Sequence, residues 1–459
     1  ILGTNSIKDT GGYQVANSLR FDDGSTDYLN RTLGTPTNNK KWTYSAWLKK
    51  SSQTDMIMFS CGANNNDRGL IYFNNSGDLN IYGATSGSGT YYLATNRLFR
   101  DNSAWSNIVI SYDSTQSTST NRIKIYVNGV QETSLSQTTY PAEDHNSYFN
   151  SAIRHDISGR MPISSDYLYN GYMAEVCFID GQQLTPTSFG EFDEDSGIFK
   201  PINVSGLTFG NNGFYLDFED SGDLGDDESG NGNDFAETNL AAIDQSTDTC
   251  TNNFATLNVL NKGTSVSLSE GNLAYTAPSG SFASVLSTIG FSQGKWYAEY
   301  QWKSGSNSHV GIGKENINYN HYLSYTANGY SYYKDGRKFN NSSASSYGNS
   351  YAVDDIIGVA LDLDNGAIWF SKNGTWQNSA TLTEIQNGTT TNAAFTSLSG
   401  EFFFGTGMGN SNELAYFNFG SPPYSESGGE TDGNGYGNFA HEVPSGYYSL
   451  NTKNLAEYG

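Results

Sequence analysis

Cysteine, histidine, proline and basic residues are all scarce in this 459-residue chain, and each scarcity removes a class of protein. Only Cys61, Cys177 and Cys250 occur, an odd set without metal-ligand spacing, so no disulfide framework and no zinc site can be read from them. Cys177 lies in the apolar run "AEVCFI" and is expected to be a small buried hydrophobe. His145, His155, His309, His321 and His441 are scattered, and none pairs with a nucleophile in an elbow such as G-x-S-x-G, which leaves a catalytic triad without support. Lys and Arg number 24 against 47 Asp and Glu, a net charge of -23, so no basic stripe is present to neutralise phosphates and nucleic acid is excluded as a partner. No apolar run approaches the roughly 18 residues of a membrane span, and the opening "ILGTNSIKDTGG" lacks the basic-then-apolar design of a signal peptide.

Glycine and aromatic residues are plentiful instead. Gly reaches 51 residues, aromatics are 14% with 32 Tyr, and the hydrophobic share is only 36%. Disordered chains are poor in aromatics, so this composition describes turn and surface chemistry around an aromatic core. A surface with few charges (15%) and much Asn, Ser, Thr and Gly is neutral and rich in hydrogen-bonding groups, which suits sugars or a saline exterior.

From Tyr13 to about Phe199 the sequence is a series of short strand-like runs, among them "WTYSAWLKK", "DMIMFSC", "WSNIVISYD", "RIKIYVNG" and "NGYMAEVCFID", separated by Gly, Asn, Asp and Ser clusters. The series resumes at about Val266 with "GKWYAEYQW", "SHVGIG", "GYSYYKDGRKF", "DIIGVALDLDNGAIWFSKNG" and "ELAYFNFG". Between them "DFEDSGDLGDDESGNGNDF" reads as an acidic connector carrying one strand, "FYLDF". In "DLDNGAIWFSKNGTW", Ala367 and Trp369 fall on one strand face and Ile368 and Phe370 on the other. Both Asn365-Gly366 and Asn373-Gly374 are expected to supply positive φ angles for tight primed turns. The fold class is therefore all-β: two antiparallel sandwiches at 1–205 and 263–420, an acidic Gly/Asn-rich connector at 206–262, and a C-terminal aromatic extension at 421–459 that is ordered and docked, since its Tyr and Phe would otherwise be exposed.

The first half resembles LamG-like, concanavalin A-like jelly rolls in "WTYSAWLKK", "WSNIVISYD", "KIYVNGV" and the closing "LYNGYMAEVCFIDGQQLTPTSFGEF", where Gly171, Glu175, Leu184 and Pro186 stand at the places of that family's last strand and turn. The second half resembles a SPRY domain, also a concanavalin A-like sandwich. Asp355, Gly358, Asp362, Gly366, Phe370, Asn373 and Gly374 match the family's core hairpin, in which turn glycines and inward aromatics must fall in one register. The domain order, the "SGNGNDF" connector and the tail "GYGNF...PSGYYSLNTKNL" together resemble tail fibre or appendage proteins of phages of marine bacteria. That resemblance implies a non-enzymatic protein on the virion surface, at the tail. Its implied partners are a host-surface glycan or receptor and other virion proteins, with no nucleic acid and no membrane, and a homo-oligomer is implied, a trimer suiting a fibre. A capsid decoration protein, and a secreted carbohydrate-active enzyme or its binding module, are the alternatives.

Three groups of residues carry the chemistry. Glycoside hydrolysis needs two carboxylates at a fixed separation; Glu175 and Asp180 in "EVCFID" are the nearest pair, without a third acid and at the wrong spacing, so no catalytic residue is assigned. The connector's Asp223, Asp226, Asp227, Asn231, Asn233 and Asp234 offer oxygen donors of the kind calcium accepts, and form the candidate metal site; no other cofactor is expected. In "NINYNHYLSYTANGYSYYKDG", where SPRY domains carry binding loops, Tyr319, His321, Tyr322 and Tyr325 are the candidate ligand-binding residues, with Tyr319 and Tyr322 expected to be the more exposed; Tyr330 and Tyr332 suit packing of the sandwich.

Overall fold

The computed structural model describes residues 12–62, 64–160, 167–277, 280–409, 413–425 and 428–459. The chain divides into two compact units, described over 12–251 and 252–459. Both are antiparallel β-sandwiches.

In the first unit one sheet runs, in spatial order, Val130–Gln131, Ile123–Val127, Ser106–Asp113, Lys41–Lys50, Gly171–Asp180, Ser18–Phe21 and Gln245–Ser246. The facing sheet runs Leu135–Thr139, Ser88–Leu98, Asp78–Thr85, Arg68–Phe73, Met56–Gly62, Arg154–Ile157, Tyr28–Thr32 and Ala236–Thr238. Alternation along Lys41–Lys50 sends Trp42, Tyr44, Ala46 and Leu48 into the space between the sheets, where Trp42 stacks on Tyr112 at 5.1 Å and Tyr44 on Phe59 at 5.2 Å. Trp47, from the opposite face of the strand, packs with Trp105, Tyr172 and Phe199 in a cluster of its own. This sheet is therefore buried on both sides, which explains why Gly171–Asp180 is buried at every position.

The acidic segment does not separate the sandwiches. Phe214–Leu216 pairs with Gly171–Asp180, Ala236–Thr238 with Tyr28–Thr32, and Gln245–Ser246 with Ser18–Phe21. Phe214, Phe218, Leu224 and Phe235 sit in the first core. Residues 206–251 thus complete the first sandwich, and the division falls after Thr251, where the sequence suggested a connector from 206 to 262. The acids misled because they hold loop backbone while the interspersed aromatics carry the packing.

In the second unit one sheet orders Leu257–Lys262, Phe282–Ser287, Phe403–Gly409, His309–Gly313, Gly329–Tyr333, Arg337–Asn340 and Ser343–Ser346. The other orders Ser267–Ser269, Ala274–Thr276, Leu414–Asn418, Lys295–Ser304, Ile356–Asp362, Ala367–Lys372 and Thr375–Trp376. Ile368 and Phe370 enter the inter-sheet core, while Ala367 and Trp369 on the other face pack with Tyr297, Phe439, Val443 and Tyr447. The extension is what covers that outer face. Its Tyr448–Ser449 adds in parallel to Lys295–Ser304, and Asp432 gathers Asn434 N, Tyr436 N, Ser449 N and the Asn454 amide at 2.7–3.0 Å.

The two Asn-Gly pairs behave differently. Asn373 (φ 47°) and Gly374 (φ 76°) form the two-residue primed turn between Lys372 and Thr375. At the first pair only Gly366 has positive φ (64°), and four residues lie between Asp362 and Ala367. There the Asp362 carboxylate accepts from the Asn365 backbone N–H at 2.9 Å and its side-chain amide at 2.8 Å, so an aspartate-closed loop replaces the expected primed turn.

Candidate functional site

Glycines on the outer face of the seven-stranded sheet prepare the site. In His309–Gly313, Val310 and Ile312 point into the core, leaving His309, Gly311 and Gly313 outward. A Cβ on Gly407 would stand 2.4 Å from the Leu323 backbone nitrogen, so the segment 314–328 lies against the sheet only because that position is glycine. Ile317 and Leu323 pin the segment against Leu286 and Phe403, and Ser284 N donates to the Tyr319 carbonyl at 2.8 Å.

This arrangement brings together three of the four expected ligand-binding residues. His321 stacks on Tyr325 (3.4 Å between centroids, 9° between planes) and lies parallel to Phe282 at 5.7 Å. Tyr322 meets His321 edge-on at 4.8 Å and stacks on His309 at 4.8 Å. His309 continues the run to Tyr333 at 4.4 Å and Phe339 at 5.2 Å, with the Arg337 guanidinium 5.0 Å over the Phe339 ring. Tyr325 is 39% exposed and Tyr322, His321, Phe282, Tyr333 and Phe339 are half-buried, so the rings form a continuous, partly open aromatic surface. Tyr319 is not part of it. Its ring packs beside Ile317 and Phe403 and its hydroxyl donates to the Glu315 carbonyl at 2.7 Å, while burial pushes its ionisation up to about 12. The exposed residue is Tyr325, where the sequence favoured Tyr319 and Tyr322, both of which are half-buried.

Sequence reasoning missed Phe282, His309, Phe339 and Arg337. Period-two alternation in "SHVGIG" and "GRKF" was the available signal, since it places His309, Arg337 and Phe339 on the face opposite the core residues. The imidazoles are neutral: burial depresses His321, and it lowers His309 to about 3. His309 Nδ1 is 2.9 Å from Ser331 Oγ. The surface can therefore stack against flat or apolar faces and exchange neutral hydrogen bonds, but its two histidines do not act as acids near neutral pH.

Glu175 and Asp180 serve different ends. Asp180 is a loop clamp, accepting from Thr37 N at 2.6 Å, Asn38 N at 3.1 Å, Asn212 N at 3.1 Å and the Asn150 amide at 2.5 Å. Glu175 sits at a β-bulge with φ 51°, a conformation uncommon for residues with side chains. Tyr215 donates to it at 2.9 Å and Tyr13 at 3.3 Å, and burial pushes its carboxyl up to about 8 against the Tyr215 hydrogen bond, helped by the negative charge of Asp217. The two carboxyl groups are thus held by separate sets of donors, phenols for Glu175 and loop amides for Asp180.

The residues expected to offer calcium its oxygen donors tie loop backbone together. Asp227 accepts from Tyr215 N, Ser229 N, Asn233 N and Ser229 Oγ at 2.7–3.0 Å. Asn231 and Asn233 donate their amides to the Gly213 carbonyl at 2.9 and 2.8 Å, and Asp234 Oδ1 accepts from Asp227 N at 3.3 Å. Asp223 accepts from Gly225 N, and Asp226, raised by burial and by Asp223 and Asp234, stands beside it. Among the described residues no group of three His, Cys, Asp or Glu gathers to hold a metal ion. Among them, too, no helix is long and apolar enough to cross a membrane.

Two β-sandwich domains in tandem, each with an aromatic core, define the class. Residues 23–187 match the concanavalin A-like lectin/glucanases superfamily model, and residues 295–422 match the SPRY domain model. The chain thus carries a LamG-like, concanavalin A-like domain followed by a SPRY domain. No curated protein matches the sequence. Among solved structures, the SPRY domain of human HERC1 is 18% identical, aligned over 35% of this chain and 96% of that one with a TM-score of 0.29. Stonustoxin is 19% identical over 36% and 27% of the two chains (TM-score 0.28). The heptameric SAP-like pentraxin of Limulus polyphemus is 16% identical over 38% and 80% (TM-score 0.28).

Proposed function

We propose that this is a non-catalytic binding protein whose second sandwich receives a neutral glycan on the aromatic surface of Tyr322, Tyr325 and His321. The observation that carries the reading is the run of stacked, half-open rings that begins at Phe282 and ends under Arg337. Ring faces stack on the apolar faces of sugars, and Tyr supplies contact area at low entropic cost. Domains of both kinds typically serve as non-catalytic binding modules, which supports the same side. We further place the protein on the exterior of a virus particle, as a tail fibre or appendage meeting host-surface glycan or another virion protein. That setting rests on the resemblance of its domain order and tail, and on an acidic surface (net -23) suited to a saline exterior.

Titration of immobilised bacterial surface glycans tests the binding claim. Tyr322→Ala and Tyr325→Ala are each expected to weaken retention roughly tenfold, about 1.4 kcal/mol, with unchanged melting; equal retention by both variants removes the surface from consideration. Counting copies against the major capsid protein in purified particles tests the setting. A low count in multiples of three fits the tail, and hundreds of copies fit a capsid exterior protein instead.

A further inference from the structure

The C-terminal extension does more than cover Trp369. Between it and the start of Lys295–Ser304 lies an open depression of ≈ 450 Å³, lined by Gln293, Gly294, Lys295, Asp364, Tyr448 and Tyr458. Ligand sites occupy roughly 300–1,000 Å³, and two depressions on the first unit, at ≈ 240 and ≈ 290 Å³, fall below that range. Gly446 completes the rim. Its φ is +82°, and nothing stands within 4 Å of where a Cβ would be, so the rim is open.

The walls are held firmly. Tyr448 is fixed by pairing opposite Trp296, and Tyr458 ends the helix Thr452–Tyr458, whose first turn is capped by Asn451 accepting from Asn454 N at 2.9 Å. The two rings stack at 3.8 Å and 7°. On the other wall Asp364 Oδ1 accepts from Gly294 N at 2.9 Å, and the Gln293 amide donates to the Gly459 carbonyl at 2.7 Å. That use leaves Asp364 Oδ2 and Gln293 Oε1 as acceptors. Lys295 is already neutralised by Asp362 at 3.2 Å and donates to the Gln386 carbonyl at 3.2 Å.

We infer that this depression is a second ligand site, one that takes a neutral pyranose. An aromatic pair beside a carboxylate, an amide oxygen and phenol hydroxyls suits a ligand with both an apolar ring face and several hydroxyls. Anions are disfavoured by the net charge of -23 and by the ion pair that occupies Lys295. The site joins the SPRY sandwich to a segment lying beyond residue 422, where the family match stops, so the extension is what creates it.

The test is ligand-observed saturation-transfer NMR on the full chain with methyl α-D-glucopyranoside, methyl β-D-galactopyranoside and N-acetylglucosamine as probes. At least one probe is expected to receive saturation. Gln293→Trp, which fills the depression from an exposed position, should weaken that binding at least tenfold, and Asp364→Asn, which keeps the acceptor for Gly294 N, should weaken it several-fold. The measurements are made in the Tyr322→Ala/Tyr325→Ala background as well, where the loop surface of the proposed function is removed and the saturation that remains is expected to show the same losses with Gln293→Trp and Asp364→Asn. No saturation of any probe by the wild type, or saturation that survives Gln293→Trp and Asp364→Asn in proteins of wild-type melting, overturns the inference.

Discussion

Glu175 in the first sandwich and Glu299 in the second both stand on interior strands outside the inter-sheet core, and the two are answered by different donors. Glu299 is met by backbone: Ala440 N at 2.9 Å and His441 N at 3.0 Å, with the Tyr297 hydroxyl at 3.0 Å. It thereby ties the extension to the sheet whose outer face that extension covers. Glu175 is met by two phenols, in a setting made negative by Asp217 and Glu219, and burial pushes its carboxyl up to about 8. The difference teaches that a buried carboxylate is no sign of catalysis by itself. One works as a structural tie and the other is a protonated acid through most of the neutral range.

The comparison breaks most visibly with pH. Folding favours the protonated form of Glu175, so its contribution is complete below about 4.5 and is lost as pH rises toward 8. Across that window the stability difference between Glu175→Gln and wild type should move in the variant's favour by roughly 4 kcal/mol at most. Parallel denaturant titrations at pH 5 and pH 8.5 read it, and parallel curves for the two proteins would show that Glu175 does not titrate there. The buried His155 and His309, lowered to about 4 and about 3, work oppositely: their contribution is present above about 6.5 and is lost on acidification.

Glu299→Ala comes next, at roughly 3 kcal/mol, because it strands two backbone N–H groups and a phenol. Limited proteolysis should then cut within 421–459 ahead of the sandwich, and an uncut extension would sink the tie. Phe439→Ala, which empties the contact with Tyr297 (5.2 Å between rings), should cost about 3 kcal/mol and expose the same segment. The smallest effect is Gly374→Ala, about 1 kcal/mol for forcing φ 76° on a residue with a side chain, read as a small fall in Tm.

Much of this architecture was legible from local pattern. Alternation in "WTYSAWLKK" and "GAIWFSKNG" carried both strands and their faces, since one register buries one set of side chains. The connector was not legible, because Phe214, Phe218 and Phe235 are spaced irregularly among acids and the strands it adds to the first sandwich are only two or three residues long, Phe214–Leu216 pairing with Gly171–Asp180 and Ala236–Thr238 with Tyr28–Thr32 near the start of the sandwich. Of the aromatic surface, the loop residues were visible and the platform was not. His309 and Phe339 reach it through strand neighbours, a non-local fact that only sheet order reveals. Tyr319 misled for a related reason: its neighbours Ile317 and Leu323 fold the loop back on itself.

The central claim is that the molecule binds sugar without cleaving it. Incubating the protein with immobilised bacterial surface and marine polysaccharides, and reading retention and newly formed reducing ends together, tests it most directly. The account predicts retention that falls in Tyr322→Ala and Tyr325→Ala, with no new reducing ends. Release of reducing ends, or no retention on any polysaccharide, would contradict it.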